Sequence, residues 1–141
     1  MKPLLLQLKA VLLSDASLTS IIPTENIGQS IRQNAGNPSL EYGIEEEEAD
    51  HSRHRAVTLV FVVVSNTGAV VTTDTKEALE ALITAKNLST PVLPSITPLV
   101  FKVMQARLSD SRVYPRTNWA HSLRIEFDLK IADLRPPTQK Q

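Results

Sequence analysis

From residue 123 to residue 131 the chain alternates without interruption. Leu123, Ile125, Phe127, Leu129 and Ile131 are apolar, and Arg124, Glu126, Asp128 and Lys130 between them are charged. Successive side chains of a strand point to opposite faces, so this period fits a β-strand with one face on a core and the other in water. A strand of that kind belongs in an antiparallel sheet that is packed on one side and wet on the other. The rest of the chain has to supply its neighbours and the layer that covers its apolar face.

Two segments fit as neighbouring strands. Leu59, Val60, Phe61, Val62, Val63 and Val64 form a continuous apolar run, the pattern of a strand covered on both faces at the centre of a sheet. Leu40, Tyr42 and Ile44 alternate with Glu41, Gly43 and Glu45, which reads as a half-buried strand paired with residues 54–64. Residues 99–108 give a fourth strand after the prolines at 91, 94 and 98. Residues 28–37, 45–53 and 109–118 read as loops, the last two as the tips of hairpins.

The cover comes from two helical patterns. Leu4, Leu5, Leu8, Val11 and Leu12 recur at helical spacing over residues 2–13. Asp15 then caps a short turn through residues 17–20, which Pro23 ends. Asp74 and Glu77 have the spacing of a capping box that opens a second helix, with Ala78, Leu79, Leu82 and Ile83 on its buried face and Asn87 near its end. The fold expected is α+β: a mostly antiparallel four-stranded sheet with two helices packed on one face, in the order α-β-β-α-β-β. One domain spans residues 1–134, and residues 135–141 form a flexible tail.

Composition narrows the chemistry. The chain has no cysteine, which removes disulfides, thiolate nucleophiles, cysteine-based zinc sites and iron–sulfur clusters. Fifteen acidic and fifteen basic residues cancel, so the basic excess with which a duplex-binding domain releases counterions is missing. Gln7 and Lys9 interrupt the N-terminal leucines well short of a membrane-spanning length. The reading is therefore a protein made in the cytoplasm, with no membrane partner.

No constellation of catalytic residues stands out. His51 and His54 lie in the charged stretch HSRHR, far in sequence from His121, without the glutamate of a zinc-hydrolase helix. They read as exposed loop histidines and not as a metal site. The run Glu45, Glu46, Glu47 and Glu48 is a solvated turn on the simplest reading, because adjacent solvated carboxylates lack the distinct environments that acid–base catalysis needs. Repeated around a ring, the same run would make a negative surface that repels phosphate. Arg53, Arg55, Arg107, Arg112 and Arg116 are guanidiniums of the kind favoured at protein contacts. Trp119 reads as packing for the last strand. With four glycines and no GxSxG elbow, phosphate-cradling or dinucleotide fingerprint, the chain reads as non-enzymatic and without a cofactor.

The phrases SDASLTSII, NPSLEYGI, RHRAVTLVFVVVSNTG, TDTKEALEALI, LVFKVMQARLSDSRVYP and AHSLRIEFDLKI, in that order behind a leucine-rich helix, resemble the tail-terminator and tail-completion proteins of long-tailed bacteriophages over nearly the whole chain. The resemblance implies a structural virion protein that forms a ring, usually a hexamer, on the last ring of the tail tube. Such a ring stops polymerisation and presents a face to the head–tail connector. Its partners would be itself, the tail tube protein, the connector or neck protein, and genomic DNA only as it passes through the lumen. Rings of this type close through heterologous contacts, often by pairing sheet edges. The contact or lumen candidates are Glu45, Glu46, Glu47, Glu48, Arg53, Arg55, Arg112, Tyr114 and Arg116. The alternatives are a head-side neck or head-closure protein and a small cytoplasmic ligand-binding domain.

Overall fold

The computed structural model describes residues 2–29, 38–49, 54–66, 68–113 and 121–134, with the backbone alone described at 46–49. The alternating run becomes strand β5 (His121–Asp133), whose odd-numbered residues from Leu123 to Asp133 are buried while Arg124, Glu126 and Asp128 are half-buried on the other face. It pairs antiparallel with β3 (His54–Ser65) over twelve register positions, and with β4 (Phe101–Val113) on its other side. β3 in turn pairs antiparallel with β2 (Ser39–Ala49). A two-residue strand, β1 (Ile27–Gly28), adds in parallel to Leu40 and Glu41. The sheet order is β1-β2-β3-β5-β4.

Four helices accompany the sheet: α1 (Lys2–Ser14), α2 (Ala16–Ile21), α3 (Ala69–Leu82) and α4 (Ala85–Ser89). Leu4, Leu8, Val11 and Leu12 of α1, Leu18 of α2, Leu79 of α3 and Leu88 of α4 join Val57, Leu59, Phe61 and Val63 of β3 and the inner residues of β5 in one apolar cluster. Helices therefore seal one face of the sheet. Phe61 and Phe127, diagonal neighbours on adjacent strands, meet edge to face with ring centres 5.7 Å apart at 89°, a geometry that aromatic quadrupoles favour.

The α+β class and the four long strands agree with the sequence reading, and five details differ. The sheet is mixed and has a fifth strand, because Ile27 and Gly28 find backbone partners beside β2. β3 is covered on one face only: Val60, Val62 and Val64 are half-buried, since all the helices lie on the opposite side. The second helix starts at Ala69 and not at Asp74. Gly68 turns the chain into it at φ 126°, a conformation glycine adopts without strain, and the buried Thr72 and Thr75 hydroxyls donate to the Ala69 and Val71 carbonyls at 2.8 Å. That helix also ends earlier, at Leu82. Asn87 belongs to α4, where its amide donates back to the Leu82 carbonyl at 2.9 Å. Lastly, β2 and β4 continue through stretches read as hairpin loops, because ladder pairing to β3 and β5 outweighs the weak strand preference of Glu, Ser and Asp.

The predicted cap at Asp15 is present: its Oδ2 accepts from the Leu18 amide at 2.9 Å at the start of α2. A second polar tie came without warning from the sequence. Gln7, on the buried stripe of α1 and 0% exposed, donates through Nε2 to the Thr90 carbonyl at 2.6 Å and the Asn87 carbonyl at 3.3 Å. It holds the end of α4 against α1. Replacing Gln7 with leucine keeps the bulk and removes the donor, so we expect a loss of about 1–3 kcal/mol in urea unfolding, with an unchanged m-value. A variant as stable as the parent would mean that this tie contributes nothing.

Candidate functional site

The face of the sheet opposite the helices carries charge around a valine stripe. Arg124 of β5 is 25% exposed and lies between two carboxylates: Glu126, at 3.4 Å on its own strand, and Glu45 of β2. Since β3 lies between β5 and β2, the Arg124 side chain has to cross β3 at the level of Val60 and Val62 to reach Glu45. An arginine stem laid over apolar surface with its head in an ion pair is a common use of this residue. Further out, Arg107 pairs with Asp128 across the β4–β5 ladder at 3.8 Å, and Arg112 with Asp110 along β4.

The sheet also has two borders. β1 covers only the Leu40 and Glu41 end of β2, so among the described residues nothing pairs with the outer side of β2 from residue 43 onward. β4 borders the other side, with β5 as its one strand partner among the described residues. One rung of β4 is protected: the Ser89 hydroxyl accepts from the Val103 amide at 2.8 Å and donates to its carbonyl at 3.2 Å. Beneath the rest of β4 runs an open groove floored by Phe127 and Leu108 and walled by Ile83, Ala85 and Met104. Met104 is among the exposed large hydrophobic residues. Natural proteins usually blunt a bare strand with charge, bulges or a covering element. β4 has two register breaks and β2 has one, between Ile44 and Glu46.

The residues singled out from sequence separate in space. Glu45 is exposed at the bulge of β2, and the backbone of Glu46, Glu47 and Glu48 lies in β2 opposite Thr58, Val57 and Ala56. The acidic run is therefore part of a bordering strand and not of a turn. Arg55 lies on β3, opposite Ile131, and Arg112 on β4, opposite Arg124. Arg53, Tyr114, Arg116, Trp119 and His51 lie outside the described residues. His54 and His121 are exposed first residues of β3 and β5 and not loop residues. They sit at opposite ends of the β3–β5 ladder, eleven register steps apart, roughly 35 Å at strand rise. Among the described residues, no group of three or more His, Asp or Glu is placed to hold a metal ion, and no helix is long and apolar enough to cross a membrane.

Sequence reasoning missed the Arg124 bridge and the Ser89 clamp. Arg124 lay on the charged parity of the alternating run, but its partner on β2 emerges only once the strand order is known. On β2, burial pushes the Tyr42 phenol above its usual pKa, opposed by a hydrogen bond with the Gln29 side chain. Tyr42 thus stays neutral on the core side, and the charge of this border strand comes from its glutamates.

No protein-family model matches the chain, and no curated protein matches it. In three dimensions it is similar to a chain from the virion of a native gene transfer agent particle, with a TM-score of 0.68 and 11% sequence identity over 90% of this chain and 94% of that one. At that identity the likeness establishes a common fold along nearly the whole length.

The ion pairs of the open face are partly solvated, which limits what they add to stability. We expect Arg124→Ala to cost no more than about 1 kcal/mol at low salt, with the difference shrinking as ionic strength rises. A loss several times larger, insensitive to salt, would mean that Arg124 is held in the fold by something other than these carboxylates.

Proposed function

We propose that the chain is a non-enzymatic structural subunit of a phage-like virion. It assembles as a ring, of hexameric order, at the end of the tail tube, where it ends polymerisation and offers a surface to the head–tail connector. The observation that carries this reading is the fold held in common, almost end to end, with a chain of a gene transfer agent virion. The open sheet supports it, because two bordering strands and one sheet face that no described element covers offer more contact surface than a solitary ligand-binding domain needs. The groove beside β4 is open and shallow in chemistry: Glu80, Thr84 and Gln105 are its polar lining, and they form no converging catalytic set.

In this role the subunit is made in the host cytoplasm and ends in the neck of the particle. DNA crosses the lumen without being held, as suits a chain whose acidic and basic residues balance. The stop to growth follows from asymmetry. One face of the ring reproduces the docking surface of the tube and the other does not, so a further tube ring has nothing to join.

Electron microscopy of tail tubes mixed with the purified protein tests the proposal. We expect extra density at one end of each tube and tubes that no longer lengthen when tube protein is added. Tubes that keep growing, with no protein at their ends, would contradict it. Recovery of the protein on DNA-filled heads that lack tails would move it to the head side of the neck.

A further inference from the structure

We propose that copies of this chain join border to border, with residues 43–48 of β2 laid antiparallel against residues 105–110 of β4 in the next copy. The proposal deepens the ring reading above and rests on it for the homo-oligomer. It assigns the surface that makes the ring, which that reading leaves open.

The strand order makes such a joint possible. β2, β3, β5 and β4 alternate in direction, so β4 runs opposite to β2. A neighbour placed beside the first by rotation about an axis along the strands therefore brings its β4 antiparallel to β2. The ladder continues with the helices of every copy on the same side. The contact uses two different patches, so it is heterologous, and it closes into a ring if the rotation permits. The bulges of both strands add the bend that closure needs.

The usable lengths agree. β1 blocks β2 at Leu40 and Glu41, and Ser89 blocks β4 at Val103. Among the described residues, what is left without a strand partner is residues 43–49 on one border and the stretch beyond Val103 on the other. Following the register straight across the sheet, Glu46, Thr58, Asp128 and Arg107 form one row, Gly43, Val60, Glu126 and Asp110 another, and Glu48, Ala56, Lys130 and Gln105 a third. Carried over the boundary, these rows set Glu46 beside Arg107 of the next copy and Glu48 beside Gln105.

Charge fits the same alignment. Residues 43–48 contain four glutamates and no cation, whereas residues 105–110 of β4 hold one cation, Arg107, and one acid, Asp110, with Lys102 and Arg112 flanking the stretch. That acid would meet Gly43, which has no side chain to repel it. Arg107 is 69% exposed and its contact with Asp128 is long, at 3.8 Å, so it can take a second carboxylate. On the helix side, the row of Ile44, Leu59, Phe127 and Leu108 would bring the Ile44 of one copy to the Leu108 of the next, at the apolar groove floored by Phe127. Backbone pairing supplies the affinity, and the acid–base match selects this partner over like-charged pairings.

Two charge-reversed proteins test the joint. Glu46→Lys with Glu48→Lys cancels the acidic charge of the β2 border and sets a lysine opposite Arg107, and Lys102→Glu with Arg107→Glu makes both borders acidic. Each alone should sediment as a single chain at concentrations where the unmodified protein forms oligomers, and a one-to-one mixture should recover oligomers in which the two alternate. The absence of cysteine allows a second test. Glu48→Cys with Gln105→Cys in one chain places the thiols across two intervening strands, about 14 Å apart, too far for a disulfide within the chain. Oxidation should give a ladder of covalent oligomers, whereas each single-cysteine protein should stop at a dimer. Oligomers that persist in both charge-reversed proteins, with no ladder, would overturn the border joint while leaving a ring built on another surface. No oligomer from the unmodified chain, together with no ladder, would overturn the joint and the ring together.

Discussion

Everything in this molecule depends on the one-sided burial of the β3–β5 pair. Twelve register positions join the two strands, and their inner residues, led by Phe61 and Phe127, share one apolar cluster with residues of α1, α2, α3 and α4. Burying that apolar surface is the main favourable term available to a chain without disulfides. Because the helices occupy one side only, the same act leaves the other face with its valines and ion pairs in contact with water. Backbone groups at the two borders are the second consequence, since an open sheet always has edges.

That division separates two uses of polar groups. The helical layer uses polar groups for internal ties: Gln7 holds α4 to α1, Asn87 reaches back to α3, and Asp15 caps α2. The open face and the borders use theirs differently. Arg124, Arg107 and Arg112 sit in partly solvated pairs that contribute little to folding and can be rearranged by a partner. The proposed assembly role would use both halves, a core that does not change and a surface whose pairings can.

Much of this was legible in the residues. The period-2 run at 123–131 specified β5 and its wet face, and the leucines at 4, 8 and 12 specified α1 and its buried stripe. The limits of reading were physical. Glu45 to Glu48 look like a solvated turn because glutamate disfavours strands, yet ladder pairing with β3 keeps their backbone extended. The six apolar residues at 59–64 look doubly covered, but half of them face an open side where charged neighbours shield them. Asp74 and Glu77 have the spacing of a cap, although Gly68 had already turned the chain into the helix. Of the candidate contact residues, Glu45 proved to be engaged with Arg124 from two strands away, a pairing that no local pattern reveals.

The sheet is sealed by helices on one face, and among the described residues its borders at β2 and β4 lack further strand partners. Residue-resolved amide hydrogen exchange of the dilute protein measures this most directly. We expect the slowest exchange in β3 and β5, whose strands are paired on both sides, and much faster exchange at alternate residues of β4 beyond the Ser89 clamp, where no described strand pairs with the outer side. Uniform protection along β4, equal to that of β5 in the isolated chain, would mean that this border is already covered and not open to a neighbour.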